Sequence, residues 1–351
     1  MEESFYYHYP HEKKSNHIQE LLLKANRKEQ HEKENKKMYY SENEIKKAIK
    51  NNEPIESKLH AIIVISNPCY YKRRYELLHE FVKRFQEEEA DVILYIVEMV
   101  YGNQPFAVTD SDNPRHLQLQ TETPLWHKEN MINIGVRRLL PENWKAFAWI
   151  DADLHFESPS WAQDTLKVLN GHKDVVQLFS HCVNMDRQEN TIGICSGFGY
   201  NHCKQRPKFQ PKGTFDYWHP GYAWAMTRKA YEQLGGIYEL GILGAGDYII
   251  ALSLIKKAEL YYGGNREVQL YEEKACGLRL GYIPGMIRHY YHGSTKNRKY
   301  VERTYILRKY KYDPKKHIEH DQEGILKPTK HFSQSFRDEI LQYFAERKED
   351  D

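Results

Sequence analysis

The chain has 351 residues, 40% of them hydrophobic and 28% charged, enough for one large core with additions or for two small domains. Lys+Arg number 51 against Asp+Glu 49, a formal charge of +2, so bulk charge makes no case for a nucleic-acid or membrane-surface partner. No run approaches the ~20 apolar residues of a membrane helix, and residues 1–14 lack the apolar stretch of a signal peptide. The cysteines Cys69, Cys182, Cys195, Cys203 and Cys276 are odd in number and contain no Cys-x-x-Cys pair, which predicts a reducing compartment.

Residues 1–57 are rich in Lys and Glu and hold few apolar anchors. Ser41 to Glu44 forms a capping-box pattern ahead of Ile45 and Ile49. One or two helices are expected there, loosely docked or serving as an interaction arm; a solvated extension is the plainer alternative. Residues 59–65 form a β-branched apolar run closed by the turn signal Ser66-Asn67-Pro68, and predict a buried first strand. The spacing of Leu77, Leu78, Phe81, Val82 and Phe85 predicts a helix over 75–85. Residues 92–97 predict a second buried strand ending at Glu98, and 130–140 a helix through Ile132, Val136, Leu139 and Leu140. A third strand over 146–150 runs into Asp151. Strand, helix, strand, helix, strand is the pattern of a parallel α/β sheet, whose ligands bind beyond the carboxyl ends of the strands. Further on, 175–179 predicts a strand, the glycine-bearing stretch 193–200 an irregular segment, and 227–234 and 246–257 helices. An extended segment is expected over 282–291, with helices of a C-terminal extension over 301–309 and 337–344.

Asp151-Ala152-Asp153 carries the first chemistry. Alternation along an extended segment puts both carboxylates on one side. Two carboxylates at a strand end suit a hard divalent cation, Mg²⁺ or Mn²⁺, bridging to a diphosphate. A D-x-D triplet alone says little: Asp110-Ser111-Asp112 is another, in a polar turn before Pro114, and reads as a solvated loop. Phe147-Ala148-Trp149-Ile150 ahead of the later triplet sets it apart, a capped strand end being the alternative.

A first strand ending in Asn67-Pro68, an acid after the second and a hydrophobic strand running into D-x-D resemble the GT-A fold glycosyltransferases. His219-Pro220-Gly221-Tyr222-Ala223-Trp224-Ala225, followed by Ile242-Leu243-Gly244-Ala245-Gly246-Asp247, looks like the acceptor side of inverting enzymes of that group. His292-Gly293-Ser294-Thr295-Lys296 looks like their late His-Gly…Lys element. The resemblance covers residues 59–300, and the C-terminal end looks like bacterial, phage or viral members. It implies a mostly parallel α/β sheet flanked by helices, with an N-terminal extension over 1–57, the GT-A domain over 58–300 and a helical extension over 301–351. It also implies metal-dependent transfer of a hexose, with glucose the first guess, from a UDP-sugar to an acceptor hydroxyl with inversion.

The same resemblance distributes roles. Asp153 is a direct metal ligand, Asp151 meets the metal or the ribose, and His292 completes the metal site. His289 is the lesser candidate, since two histidines three apart on a strand point to opposite faces. Glu98 meets the uracil or ribose, and Asn67, Pro68 and Tyr71 line the nucleotide cleft. Lys128 stands near the diphosphate or donor sugar, while Arg73, Arg74, Lys296 and Arg298 meet phosphate. Asp247 is the general base. The group's pattern has Glu-Asp after the glycines; Gly246-Asp247 is one acid short. Trp218, Tyr222 and Trp224 are candidates for stacking on a sugar. Plainer alternatives stand beside each: a helix N-cap for Asp247, a strand-end acid for Glu98, solvated helix starts for the basic residues, structural roles for the histidines and core packing for the aromatics.

Members of this group in the secretory pathway carry a membrane anchor, so the missing span implies a cytoplasmic enzyme, in the host cytoplasm for a viral protein. A nucleotidyltransferase on a similar scaffold is one rival, but it would want a Gly-rich basic signature where Ser66-Asn67-Pro68-Cys69 stands. A non-catalytic carbohydrate-binding protein on the same fold is another. A zinc module of Cys195, His202 and Cys203 lacks paired ligand spacing. The nucleotide sugar is the expected partner. The acceptor stays open among glycan, lipid, small molecule, protein and modified nucleic acid, with basic clusters at 204–208 and 296–303 leaving room for the last.

Overall fold

The structure is a computed structural model and describes residues 42–204, 209–211, 217–262, 264–300 and 302–351. Glu42–Asn51 (α1) precedes Leu59–Ser66 (β1), Lys72–Glu88 (α2), Val92–Tyr101 (β2), His116–Thr121 (β3), Lys128–Leu139 (α3) and Ala146–Ile150 (β4). Then come Leu154–Phe156 (β5), Trp161–Leu169 (α4), Val175–Gln177 (β6), His181–Met185 (β7), Thr191–Gly197 (β8) and Phe198–Cys203 (α5). Trp218–His219 (β9), Ala223–Thr227 (β10), Arg228–Leu234 (α6), Gly246–Leu254 (α7), Arg266–Lys274 (α8), Leu280–Tyr282 (β11) and Met286–His289 (β12) follow. The last part holds Glu302–Lys309 (α9), the paired strands Ile318–His320 (β13) and Leu326–Pro328 (β14), and Gln334–Glu346 (α10).

Seven strands form the central sheet in the order β11-β6-β10-β4-β1-β2-β3. Only β10 runs against the others, antiparallel to both β4 and β6. This is the mostly parallel sheet flanked by helices that the sequence predicted. Every residue of β4 is buried, as a strand covered on both faces requires. Alternate residues of β1 serve opposite faces. Ile62 packs with Ile132, Ile134 and Phe147 on the α3 side, while Ala61, Ile63 and Ile65 pack with Leu78, Phe81, Trp161 and Leu166 on the α2 and α4 side. A second sheet, β5-β12-β7-β8-β9, stands beyond the carboxyl end of β4.

Several boundaries differ from expectation. Residues 193–200 are not irregular: β8 pairs antiparallel with β7 and runs directly into α5, so cross-strand pairing overrides the glycine signal. The extended segment splits into β11 and β12, which belong to different sheets. Ser41 and everything before it lie outside the described residues, but α1 is no loose arm. Ile45 is fully buried, and Asn52 Nδ2 donates to Lys167 O of α4 at 3.1 Å. Asp110–Asp112 does form an exposed turn. All five cysteines are free; Cys182 and Cys195 face each other across β7 and β8. No helix among the described residues is long and apolar enough to cross a membrane.

The C-terminal extension adds a third core. Phe332, Phe336, Ile340, Tyr343 and Phe344 pack against Leu125, Ile242 and Leu243. His127, fully buried at this junction, bonds Leu326 O through Nε2 at 2.9 Å and Tyr101 Oη through Nδ1 at 3.3 Å. Burial pushes its pKa from 6.5 down to about 4. Above pH 6.5 neither the folded nor the unfolded chain protonates it. As pH falls from 6.5 towards 4, the unfolded chain takes up a proton that the folded one refuses, so stability is lost by roughly 3 kcal/mol. Denaturant melts of the protein and of His127→Gln across that window should show the shallower decline in the variant.

Candidate functional site

The site is assembled where β4 ends. Asp151 N donates to Tyr222 O at 2.9 Å, and Tyr290 N donates to Asp153 O at 2.8 Å, which fixes the backbone of the triplet on both sides. Strand β12 pairs antiparallel with β5, bringing His289 opposite Leu154. Because β12 stops at His289, the chain turns before His292, and both imidazoles swing to the same carboxylate. The expectation that they face opposite ways fails for that reason.

Asp153 Oδ2 lies 2.8 Å from His292 Nε2 and 3.7 Å from His289 Nε2. The two Nε2 atoms are 3.3 Å apart. Asp153 Oδ1 is buried without a hydrogen-bond partner. His289 Nδ1 sits 3.1 Å from Asn184 Oδ1, an oxygen that also accepts the Tyr222 hydroxyl at 2.9 Å. Nδ1 is therefore the protonated nitrogen and Nε2 carries the lone pair. His292 Nε2 accepts from Arg298 Nη2 at 2.7 Å, while its Nδ1 faces Glu349 at 3.8 Å. One carboxylate and two imidazoles thus converge on one point, their ligand atoms all within 4.8 Å of one another, with Arg298 holding the His292 Nε2 lone pair that a cation would take over. Such a donor set, with an orphaned buried oxygen beside it, fits a divalent cation.

Asp151 is outside this triad. It forms an ion pair with Lys128 from the first turn of α3. Burial raises the pKa of Asp151, with Lys128 opposing. Burial likewise works against charge on Lys128, but Asp151, Glu129 and Asp247 keep it protonated. Asp247 opens α7, where its Oδ1 accepts Tyr248 N at 2.8 Å. Helix-start and pocket-facing roles therefore coincide.

A cavity of about 230 Å³ joins these groups. Pro68, Arg74, Lys128, Asp151, Asp153, Tyr222, Asp247, His289, His292 and Arg298, all named as candidates from the sequence, line it. Arg298 and Arg303 reach it with no carboxylate at ion-pair distance among the described residues; Arg303 lies over the Tyr300 ring. A shallow depression lined by Lys315, Lys316, Lys330 and His331 lies apart from this chemistry.

Other predicted residues are not brought to the cavity. Glu98 is 2% exposed and spends both oxygens on a loop, accepting Ala107 N at 2.7 Å, Val108 N at 3.0 Å, Thr109 N at 2.8 Å and Thr109 Oγ1 at 2.6 Å. Asn67 and Tyr71 close a turn reciprocally, Nδ2 to Tyr71 O at 2.8 Å and Tyr71 N to Oδ1 at 2.9 Å. Arg73 Nε donates to Tyr291 O at 3.2 Å, and Lys296 is exposed. Trp218 and Trp224 are buried in the core, so that of the three stacking candidates Tyr222 lines the cavity.

The last turn of the chain, unforeseen from sequence, forms a wall. Tyr71 Oη donates to Phe344 O at 2.7 Å and accepts Lys348 N at 3.0 Å. Asp350 caps α2 by accepting Lys72 N at 3.1 Å and Arg73 N at 2.8 Å. Glu349, 2% exposed, pairs with Arg74 through Nε and through Nη2 at 2.8 Å, and with Arg347 Nε at 2.6 Å. Burial opposes its charge, but Arg74 and Arg347 hold its pKa well below the usual range. Gly293, at φ +90°, lets this segment close in: a Cβ there would stand 3.0 Å from both Glu349 Cα and Lys348 O. Arg347 then reaches the cavity above the Trp126 ring, 5.1 Å from its centroid. Glu349→Ala strands two guanidinium groups and should cost about 3–5 kcal/mol, read as a drop of several degrees in melting temperature.

No protein-family model matches the chain, and no curated protein matches it in sequence. Among solved structures, it is similar to a Drosophila beta-1,4-galactosyltransferase 7 variant in complex with manganese, UDP-galactose and xylobiose: 13% identity, TM-score 0.34, 64% of each chain covered. The chain thus spans less than two thirds of that protein's length. It is also similar to mannosyl-3-phosphoglycerate synthase from Rubrobacter xylanophilus, at 10% identity and TM-score 0.34, covering 82% of this chain and 87% of that one. A third is the inositol-1-phosphate CTP transferase from T. maritima, at 10% identity and TM-score 0.32, covering 67% of this chain and 89% of that one. Likeness at these scores is one of outline; the chemistry of this chain rests on its own residues.

Proposed function

We propose that the protein is a metal-dependent glycosyltransferase that moves a hexose from a UDP-sugar to an acceptor hydroxyl with inversion. The observation that carries this reading is the convergence of Asp153, His289 and His292 in a cavity that Asp247 also faces. Two imidazoles beside one carboxylate suit Mn²⁺ better than the oxygen-loving Mg²⁺. A cation held there supplies Lewis-acid assistance to a leaving diphosphate. Arg298 and Arg303, facing the cavity with no carboxylate at ion-pair distance among the described residues, balance the diphosphate's charge. Asp247 takes the proton of the acceptor hydroxyl as its oxygen attacks the anomeric carbon; the bond from that carbon to the diphosphate breaks, and its electron pair leaves with the nucleoside diphosphate. Lys128 keeps Asp151 fixed at the strand end.

A panel of nucleotide sugars with Mn²⁺ tests this, following melting temperature and released product. The expected result is a metal-dependent melting shift with a UDP-sugar and release of UDP. Release of pyrophosphate would assign nucleotidyl transfer instead. No shift and no release with any nucleotide sugar overturns the reading.

A further inference from the structure

Glu129 has no role in the mechanism above, yet it belongs to the lining of the same cavity. It follows Lys128 in the first turn of α3, is 5% exposed and lines the cavity. Among the described residues no other side chain hydrogen-bonds its carboxyl; its own backbone amide does. The carboxyl presses on the backbone of Gly246. A Cβ at position 246 would stand 2.5 Å from Glu129 Cδ and 2.6 Å from Oε1. Position 246 is glycine because this carboxyl needs the space, and the next residue is Asp247. Two acids from separate helices, α3 and α7, therefore flank one corner of the cavity.

A carboxyl this buried, held only by its own backbone amide and the charge of Lys128, costs stability, and a ligand hydroxyl in that corner would relieve the cost. The oxygen that attacks the donor must reach Asp247. On a sugar ring, the hydroxyl of the neighbouring carbon then points to one side of it, where a second carboxyl can bond it. We propose that Glu129 is an acceptor-binding residue: it hydrogen-bonds the hydroxyl adjacent to the one that Asp247 deprotonates, so the acceptor is a saccharide or polyol with a vicinal diol. This inference rests on Asp247 as the base.

The test uses the full chain with Mn²⁺, UDP-glucose or UDP-galactose, and two acceptor sets. One set holds methyl β-glucoside, methyl β-xyloside and their single-deoxy analogues; the other holds isolated hydroxyls, namely serine peptides and simple primary alcohols. Transfer to the diols, lost on removal of the neighbouring hydroxyl, is expected. Glu129→Gln and Glu129→Ala should raise the acceptor KM about tenfold or more, with the donor KM changed less than about twofold. Gly246→Glu combined with Glu129→Gly rebuilds the acid from the other helix and should recover most of the lost affinity. Gly246→Met combined with Glu129→Gly restores bulk alone and should not. Equal rescue by both double variants makes Glu129 a packing group and overturns the proposal. So does transfer only to isolated hydroxyls, or to none of the diols while UDP is still released. No UDP release from any donor overturns the parent reading, and this one with it.

Discussion

Asp153→Ala is expected to abolish the Mn²⁺-dependent melting shift and to lower turnover by about 10³-fold or more, the several kcal/mol that metal assistance contributes to a leaving group. The effect is large because Asp153 is the one anion of the triad and its Oδ1 has no alternative partner. The variant should not unfold the protein. Removing the carboxylate also removes the reason for two imidazoles to crowd at 3.3 Å, so the metal-free melting temperature should change little. Asp112→Ala, in the exposed turn of the other D-x-D, is the matched control and should leave metal response and turnover intact. A metal response surviving in Asp153→Ala would move the cation elsewhere.

Asp247→Asn should lower transfer by about 10²–10⁴-fold while the melting shifts with Mn²⁺ and UDP persist. Asparagine keeps an oxygen for Tyr248 N in the first turn of α7, whose N-cap is Ala245, while the basic electron pair is lost. Analysis of the product anomer supplies an independent check: a retained configuration sinks the assignment of Asp247 as the base, because one base on the acceptor side delivers inversion. Loss of transfer together with loss of the UDP shift would instead make Asp247 a donor-binding residue.

The fold was legible wherever an apolar run meets a hard stop. Ala146–Ile150 reads as a buried strand, and its end dictates where Asp151 and Asp153 emerge. Glu98, Asn67 and Tyr71 were placed at the correct edge of the sheet, but sequence does not reveal that loop amides and a neighbouring turn use up their polar atoms. Convergence of His289 with His292 depends on which strand β12 pairs with and where it ends, a non-local fact; their three-residue spacing, read as a continuous strand, pointed the other way. Glu129 was hidden because its meaning lies in the backbone of Gly246, a residue of another helix. The missing acid after the glycines was visible, and the acid that occupies that space was not. Arg303, Arg347 and Glu349 were hidden by distance along the chain: nothing local in a charged C-terminal helix announces that it walls a cavity.

That wall has a kinetic consequence. A space of about 230 Å³ is smaller than the ~300–1,000 Å³ of pockets that enclose small ligands, and Phe344 and Arg347 bound it on one side. Their segment hangs from Tyr71, Arg74 and the first amides of α2, tethers that lie outside the sheet itself. Under the proposed function, lifting of this last turn would make the apparent affinity for a nucleotide sugar the intrinsic one scaled by the lifted fraction. Amide hydrogen exchange over 344–350 would measure the lifting directly, as a local opening whose free energy is below that of global unfolding and rises when donor is bound.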